Sequence, residues 1–318
     1  MPNRSSELMG IFAARKPMLT EGAMVERLRR NPQVELDPFV ANGSLLYTSA
    51  GRQALSDLWR EYIEIAQKHD MDILLYIPTW RVNVERLTLA GLPGINQVAM
   101  DAFALLDGLR SEYGEFGRKI FIGGLVGCKG DAYAPQEALG IEDAESFHQP
   151  HVDAFAKSGI DFLLATTIPS LSEATGLTRA MSRTSIPYGI SFVLRSTGTL
   201  LDGTPIADAI ATIDGAVSKP PVAYFANCVH PDNLSLALTA TVESHPEIQD
   251  RFIGIQGNAS RKSPEELDES ALLDSDDPAA FAFAMHAVRA KFGLSVLGGC
   301  CGTDNKHIAA IAEQFTRN

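Results

Sequence analysis

The stretch Ile160–Thr166, which reads Ile-Asp-Phe-Leu-Leu-Ala-Thr, is a short and almost continuous apolar run. An amphipathic segment, Ser170–Met181, follows it closely. Such a run predicts a strand that is buried on both faces, and the spacing of the apolar residues in the second segment predicts a helix. The pair forms one βα unit, and the fold class depends on how often this unit recurs.

The same unit recurs from the start of the chain almost to its end. The eight predicted strands are Pro17–Thr20, Met71–Ile77, Lys119–Leu125, Ile160–Thr166, Tyr188–Leu194, Val222–Cys228, Phe252–Gln256 and Leu294–Gly299. The predicted helices are Gly51–Lys68, Asn96–Tyr113, Asp143–Lys157, Ser170–Met181, Pro205–Ala216, Asn233–His245, Pro278–Lys291 and a closing helix from Asp304. Thr204 and Thr303 are expected to cap the helices that follow them.

Eight buried parallel strands, each followed by a helix, predict an α/β fold of the (β/α)8 TIM barrel type. An open doubly wound sheet is the alternative. That fold usually carries a glycine-rich phosphate turn after its first strand, and Thr20–Met24 (Thr-Glu-Gly-Ala-Met) is not such a turn. No linker rich in Pro, Gly or Ser divides the 318 residues, so we expect residues 1–318 to form a single domain.

The composition excludes several functional classes. The chain has 27 basic and 39 acidic residues, and the resulting net charge of −12 repels nucleic acid and anionic lipid. No apolar run approaches the roughly 20 residues of a membrane span, and the polar start does not resemble a signal peptide. We therefore expect a cytoplasmic protein that binds neither nucleic acid nor membranes. The sequence does not indicate its oligomeric state.

Three of the four cysteines are predicted to meet in space. Cys228 closes the sixth predicted strand, and the adjacent Cys300 and Cys301 follow the eighth. In a barrel both strand ends lie at the C-terminal rim, where barrel enzymes keep their active sites. Three thiolates with a fourth position left open suit a catalytic Zn²⁺ ion. Two alternatives remain, namely small buried apolar side chains and a redox-active disulfide between the adjacent cysteines.

The run Gly298–Thr303 (Gly-Gly-Cys-Cys-Gly-Thr) and the upstream Asn227-Cys228 resemble the zinc signature of the homocysteine S-methyltransferase family. The glycines beside the cysteine pair are expected to give the backbone the freedom that adjacent ligands need. Further segments occur in the family's order, namely Glu21–Ala23, Phe147-His148, Gly159–Asp161, Pro169, Glu173-Ala174 and Asp202–Pro205. The resemblance covers roughly residues 15–315 and implies a (β/α)8 barrel in which Cys228, Cys300 and Cys301 hold zinc.

The resemblance also implies an activity. It implies a zinc-dependent S-methyltransferase of methionine biosynthesis that moves a methyl group from a small onium donor, such as S-methylmethionine or a betaine, to homocysteine or a related thiol. The acceptor would bind zinc as a thiolate, because coordination deprotonates a thiol whose pKa is about 8.5 in water. The chain is expected to leave no room for a cobalamin or folate module. Two alternatives remain, namely a divergent member that uses another thiol or demethylates an unusual onium compound, and a non-catalytic zinc or thiol-sensing module.

Two positions depart from the family pattern. Family members usually carry Asp-Gly after the first strand and Glu-Thr at the end of the fourth, where this chain has Glu21-Gly22 and Thr166-Thr167. The resemblance implicates both family carboxylates in holding the acceptor's amino acid moiety. An ammonium without its partner in a shielded pocket costs several kcal/mol, which argues against ordinary homocysteine recognition unless Glu21 compensates. We expect Glu21, Thr166, Thr167 and Asn227 to contact the substrates.

The end of the second predicted strand carries a further pair of candidate binding residues. Trp80 and Arg81 follow Ile77-Pro78-Thr79, at the same predicted rim as the cysteines. An indole ring can stack on an onium group, and a guanidinium can pair with a substrate carboxylate. The alternative is that both side chains only pack beneath a loop.

The remaining candidates are predicted to be structural. His148 and His151 are expected on a surface helix that Pro150 interrupts. Cys128 is expected to be a free thiol without a catalytic role, although the neighbouring Lys129 is able to lower its pKa.

Three polar residues and one acidic segment complete the prediction. His230 is expected to cap a loop and His307 to be structural, while Arg195 anchors a carboxylate or forms a surface ion pair. Residues 258–277 are expected to form a mobile, solvated loop, with a substrate lid as the alternative. Its acidic residues are Glu265, Glu266, Asp268, Glu269, Asp274, Asp276 and Asp277.

Overall fold

A computed structural model describes residues 4–262 and 275–316. Eight parallel strands, β1 to β8, close into a barrel in sequence order, and β1 pairs with both β2 and β8. Every predicted strand bound lies within two residues of the observed one, and the predicted (β/α)8 barrel is confirmed. The strands are Met18–Thr20, Asp72–Ile77, Ile120–Gly127, Phe162–Ile168, Tyr188–Phe192, Ala223–Asn227, Phe252–Gly257 and Val296–Gly299.

Twelve α-helices, α1 to α12, occur in the described part of the chain. They are Arg4–Ala13, Val25–Arg29, Ser49–Lys68, Val84–Leu89, Ile95–Glu112, Ile141–Ser158, Leu171–Ser182, Ile206–Gly215, Pro231–Val242, Ile248–Arg251, Pro278–Phe292 and Asn305–Thr316. Short 3-10 turns lie at Asn42–Tyr47, Gly114–Lys119 and Pro135–Glu137. Within residues 4–262 and 275–316, no helix combines the length and the apolar character that crossing a membrane requires.

The strands are apolar throughout because both of their faces are buried. Successive side chains of a strand point to opposite faces, so β2 sends Ile73, Leu75 and Ile77 outward to the helices and Leu74 and Tyr76 into the barrel. The outer cluster joins the strands to the surrounding helices, and the smaller inner cluster fills the barrel. The barrel is therefore a packed scaffold, and its rim is free to carry a site.

Helix α1 closes the N-terminal end of the barrel. Leu8, Ile11 and Phe12 are buried in the inner cluster, where the Phe12 ring meets Phe162 and Phe225 edge-on at 5.5 and 6.2 Å between ring centres. This helix was not predicted, because its apolar residues are confined to the last six positions, a run too short to establish a helical period. Since one end of the interior is closed in this way, the C-terminal end is the open one.

Two predicted helix caps are wrong. Thr204 lies in a turn, where its carbonyl accepts from the Leu200 amide, and α8 begins only after Pro205. Thr303 is not the cap of α12, because its hydroxyl donates to the Cys300 carbonyl and accepts from the Ala23 amide. Asp304 caps that helix instead, through bonds from the Lys306 and His307 amides.

Candidate active site

A cavity of about 680 Å³ lies at the C-terminal ends of the strands. Side chains from the ends of β1, β2, β4, β6 and β8 line it, as expected for the functional rim of a barrel. All nine predicted site residues lie on its wall, namely Glu21, Trp80, Arg81, Thr166, Thr167, Asn227, Cys228, Cys300 and Cys301. The structure thus brings together residues that are up to 280 positions apart (301 − 21) in the sequence.

The three cysteines converge on one wall of the cavity. Their Sγ atoms all lie within 4.8 Å of one another. Cys228 and Cys300 are paired through their sulfurs, with Cα atoms 5.6 Å apart, and Cys301 is a free thiol. The pairing therefore joins the two rim positions, whereas the disulfide considered from sequence joined the adjacent residues Cys300 and Cys301.

Backbone hydrogen bonds fix the position of each cysteine. Cys228 has a φ of 55°, a conformation that few residues other than glycine adopt, and its amide donates to the Gln256 carbonyl on β7. The Cys300 amide donates to Gly257, also on β7, and the Cys301 carbonyl accepts from Ala259. Strand β7, which lies between β6 and β8, therefore holds both cysteine segments.

Gly298 and Gly299 serve a different purpose from the predicted one. Neither has a positive φ, but a Cβ atom on Gly298 would lie 1.7 Å from Oγ1 of Thr20, and one on Gly299 would lie 2.2 Å from Oγ1 of Thr303. These glycines allow β8 to pass close to its neighbours. The conformational freedom expected beside the cysteines is used at Gly302, whose φ is 78°.

The cysteine cluster fits zinc. Zn–S bonds of about 2.3 Å place the sulfurs of a tetrahedral site about 3.8 Å apart, which the three Sγ atoms can reach from their present positions. Binding requires all three as thiolates, so the Cys228–Cys300 pair must be reduced. In the metal-free protein, burial and then the charge of Glu26 raise the pKa of the Cys301 thiol to about 11, so metal binding must displace a proton.

Glu21 presents a buried carboxyl to the cavity. It is 6% exposed, and its Oε2 accepts a hydrogen bond of 3.0 Å from the Tyr76 amide. Burial raises the pKa of Glu21 from 4.5 to about 8, and the hydrogen bonds from the Tyr76 amide and the Trp59 side chain oppose that rise only in part. The carboxyl is therefore largely protonated at neutral pH in the free protein, and a cation beside it would favour its ionised form.

The end of β4 is an irregular segment that faces the cavity. The β4–β5 register shifts between Ala165 and Ile168, and Thr167 has a φ of 55°. The Thr167 amide donates to Oδ1 of Asn227 over 3.0 Å, and the Thr167 hydroxyl donates to the Thr166 carbonyl over 2.6 Å. This segment therefore carries no charge where the family pattern has a carboxylate.

Trp80 and Arg81 lie on the wall beside β4. The Trp80 ring nitrogen donates to Oγ1 of Thr167 over 2.8 Å, and the Arg81 guanidinium lies 5.5 Å from the Trp80 ring centre. Arg81 also donates to the Gly130 carbonyl over 2.8 Å. Both side chains line the cavity, so they do not merely pack beneath a loop.

Comparison with known proteins identifies the family. The sequence profile of homocysteine S-methyltransferases matches residues 18–315. The chain belongs to this family. The homocysteine S-methyltransferase of Escherichia coli (strain K12) is 28% identical over 187 residues, which are 57% of this chain and 56% of that protein. The selenocysteine Se-methyltransferase of Brassica oleracea var. italica is 28% identical over 184 residues, 56% of this chain and 50% of that protein.

These alignments span about half the length of the curated relatives. A solved structure is similar over nearly the whole chain. The metallated homocysteine methyltransferase MmuM from Escherichia coli aligns with a TM-score of 0.73 at 20% identity, covering 94% of this chain and 96% of that one. At this identity the likeness shows the fold, and it agrees with the barrel described above.

Two histidines differ from their predicted settings, and one cysteine agrees with its prediction. His148 and His151 are buried, and Pro150 is accommodated inside α6. The His151 ring accepts from the Val84 amide over 3.1 Å, and burial together with His148 lowers the pKa of His151 to about 3. Cys128 is a free thiol, as predicted, and burial followed by the charge of Glu173 raises its pKa to about 12, so Lys129 does not activate it.

The other polar candidates are placed as follows. His230 caps α9 by accepting from the Asp232 amide over 3.1 Å, as predicted, and His307 bonds Asp304 over 2.7 Å in a structural role. Arg195 does not line the cavity. Most of the acidic segment, including Glu265 to Asp274, lies outside the described residues. Asp276 pairs with Arg261, and Asp277 caps α11.

Among the cavity residues that the sequence did not predict, two carry buried polar groups. Trp59 is fully buried on α3, where its side chain interacts with the Glu21 carboxyl, and Oδ1 of Asn42 has no hydrogen-bond partner among the described residues. Both residues line the cavity. Trp59 looks in sequence like any core residue of an amphipathic helix, and Asn42 stands in an irregular loop, so no sequence signal distinguishes them.

Proposed function

We propose that this chain is a zinc-dependent S-methyltransferase that moves a methyl group from a small onium donor to homocysteine or a related thiol. The convergence of Cys228, Cys300 and Cys301 on the wall of one cavity carries this proposal. Family membership supports methyl transfer to homocysteine as the reaction class. The names of two relatives support a thiol or selenol acceptor. A cytoplasmic role in methionine biosynthesis is part of the same proposal.

The chemistry is a direct displacement at carbon. When bound by the three cysteines, zinc lowers the pKa of an acceptor thiol, so that its sulfur is a thiolate at neutral pH. That sulfur forms a bond to the methyl carbon while the bond from the carbon to the donor's sulfur or nitrogen breaks. The bonding electron pair stays on the donor, which leaves as a neutral sulfide or amine. The protein's task is to align the two substrates and to exclude water.

The acceptor's amino group has one candidate partner. Glu21 is buried, faces the cavity and accepts a hydrogen bond from the Tyr76 amide, and the Trp59 side chain also favours its ionised form. A carboxylate with unused lone pairs can accept from an ammonium, and the ammonium would in turn stabilise its ionised form. Binding of an amino acid at neutral pH is therefore expected to release a proton from Glu21.

Trp80 and Arg81, which also line the cavity, are candidate partners for the donor. The Trp80 ring offers a π surface to an onium group, and Arg81 keeps guanidinium N–H groups for a substrate carboxylate. Four acidic side chains and two basic ones line the cavity. The acidic residues are Glu21, Glu26, Asp37 and Asp131, and the basic ones are Arg29 and Arg81. This balance favours a cationic donor over an anionic one.

The test is a methyl-transfer assay with the reduced, zinc-loaded full chain. Homocysteine is incubated with S-methylmethionine or glycine betaine, and methionine is detected by mass spectrometry. We expect methionine to form with one of the onium donors and to be lost on chelation and in Cys301→Ser. The matched control is Cys128→Ser, because Cys128 lies outside the cysteine cluster. Full activity in metal-free protein or in Cys301→Ser would overturn the proposal.

A second candidate differs only in the acceptor. Thr166 stands where the family has a carboxylate, and the hydroxyl of the neighbouring Thr167 is already engaged by Trp80 and by the Thr166 carbonyl. This observation favours a thiol that lacks an α-amino group. A comparison of homocysteine with 3-mercaptopropionate, which keeps the thiol and the carboxylate, separates the two candidates. A lower KM for homocysteine excludes the second candidate, and a lower KM for the acid supports it.

A further inference from the structure

The indole of Trp80 is held at its five-membered ring. The ring nitrogen donates to Oγ1 of Thr167 over 2.8 Å. On the other side, a Cβ atom on Gly127 would lie 2.9 Å from Cδ1 and 3.0 Å from Nε1 of the ring, and 2.5 Å from the Trp80 carbonyl oxygen. Only glycine leaves room for the ring at this distance, so β3 and β4 enclose the same edge of the indole.

Thr167 is itself held in an uncommon conformation. Its φ of 55° is rare for a β-branched residue, and such conformations persist only where surrounding contacts impose them. Those contacts are the bond from its amide to Asn227 Oδ1 and the bond from its hydroxyl to the Thr166 carbonyl. The irregular register at the end of β4 turns the hydroxyl toward the indole, as strand irregularities beside active sites often do.

Ser191, on β5, is the first residue of a chain of hydrogen bonds that leads to Trp80. Its hydroxyl, which is fully buried on β5, donates to Asn227 Oδ1 over 2.6 Å. That oxygen therefore accepts from both Ser191 and Thr167, which uses its two lone pairs. Asn227 and Thr167 are at most 5% exposed, so water competes little for these bonds. The chain Ser191–Asn227–Thr167–Trp80 thus runs from the barrel wall into the cavity.

We propose that Thr167, supported by Asn227 and Ser191, is a positioning residue that fixes the Trp80 ring and thereby sets selectivity for the methyl donor. Because the indole N–H and the Thr167 hydroxyl are already paired, the ring offers only its π surface to a ligand. A π surface favours a sulfonium or quaternary ammonium group over a neutral methyl donor. At the end of β4, the residue that follows the family's carboxylate position serves here to hold the donor-facing ring.

This inference deepens the proposed function and rests on it for the identity of the donor. Its test compares Thr167→Val with Thr167→Ser in the reduced, zinc-loaded full chain. Valine has nearly the shape of threonine and the same β-branching but cannot accept the Trp80 bond, whereas serine keeps the hydroxyl. The KM values for S-methylmethionine and homocysteine are measured separately. Tryptophan emission is recorded beside Trp80→Phe, which assigns the Trp80 contribution.

We expect Thr167→Val to raise the donor KM about tenfold, with the acceptor KM and zinc content unchanged, and to shift the Trp80 emission. Thr167→Ser is expected to keep both KM values and the emission. Ser191→Ala provides a second variant with a smaller change in the same direction. A donor KM that is unchanged in Thr167→Val, or a change confined to the acceptor KM, would overturn the inference.

The proposed function and the positioning role can fail separately. If the unsubstituted protein transfers no methyl group, the proposed function fails, and quenching of Trp80 emission by trimethylsulfonium then tests the positioning role alone. Weaker quenching in Thr167→Val than in Thr167→Ser supports the role. Equal quenching in the two variants overturns it.

Discussion

Two buried glutamates, Glu173 and Glu21, differ in how many hydrogen-bond partners surround their carboxyl groups. Glu173, on α7, is fully buried and accepts from the Lys129 and Leu139 amides at 2.8 and 3.4 Å, while His148 lies 2.9 Å from its Oε1. Glu21 is also buried, but among the described residues its carboxyl has fewer partners, namely one backbone amide and the side chain of Trp59.

The difference separates a structural carboxyl from one suited to a ligand. Glu173 joins both ends of the segment that runs from Lys129 to Leu139, and Asp131 to Tyr133 within that segment line the cavity. Its lone pairs are in use. The Glu21 carboxyl keeps unused lone pairs, and its pKa is raised. Both properties are expected of a carboxyl that binds a cationic ligand. Burial alone therefore does not indicate a role.

The largest expected effect is a pH-dependent gain in stability from Glu21→Gln. The pKa of Glu21 is about 8 in the folded protein and 4.5 ordinarily, so folding disfavours its ionised form, and the destabilisation grows as pH rises between these values. Urea denaturation of the metal-free protein should give nearly equal stability near pH 5. At pH 9 the variant should be more stable by on the order of 4 kcal/mol. The exposed Glu115→Gln is the control, and a difference that does not change with pH would contradict the account.

The same substitution at Glu173 should act in the opposite direction. In Glu173→Gln an amide NH₂ replaces one accepting oxygen and leaves a buried backbone N–H unpaired, which costs about 2 kcal/mol. Urea denaturation at pH 7 measures this loss, with Glu142→Gln on the exposed face of α6 as the matched control. A stability gain at Glu173, as expected at Glu21, would remove the distinction between the two sites.

The KM for homocysteine should also distinguish Glu21, which faces the cavity, from the structural Glu173. If Glu21 accepts the acceptor's ammonium, Glu21→Gln should raise the KM for homocysteine about twentyfold, because a charge-assisted hydrogen bond is lost. The KM for the donor should stay within about twofold. Steady-state kinetics on the zinc-loaded protein measure both values. An unchanged homocysteine KM would assign the ammonium to other residues.

The smallest expected effect comes from restoring the family's second carboxylate. Thr166→Glu places a carboxyl at the end of β4, where it should lower the homocysteine KM about fivefold by adding a second partner for the ammonium. Thr166→Gln has the same size without the charge and serves as the control. Equal effects of the two substitutions would mean that charge at this position does not bind the acceptor.

Much of the fold was predictable because each strand carries its own signal. Continuous apolar runs mark all eight strands, since both faces of a barrel strand are buried. Helix α1 was not predictable, because its few apolar residues matter only once the barrel exists to receive them. The settings of His148 and His151 were wrong for a related reason. Their burial depends on contacts of α6 with Val84 at the start of α4 and with Glu173 on α7, which a local pattern does not contain.

The candidate site also has a part that was predictable from sequence and a part that was not. The cysteine cluster was predictable because three soft ligands at two strand ends leave few other interpretations, and the structure brings their sulfurs together. The hydrogen-bond chain from Ser191 to Trp80 was not predictable, because it depends on a register shift in β4 and on the unusual backbone of Thr167. Nothing in the sequence marks either feature.

The most direct test of the account is the zinc content of the reduced protein and of two cysteine variants. Zinc is measured by competition with a chromogenic chelator in the unsubstituted chain, in Cys301→Ser and in Cys128→Ser. The account predicts one tightly bound ion per chain in the unsubstituted protein and in Cys128→Ser, and loss of tight binding in Cys301→Ser. Equal zinc binding in all three proteins, or loss in Cys128→Ser alone, would contradict it.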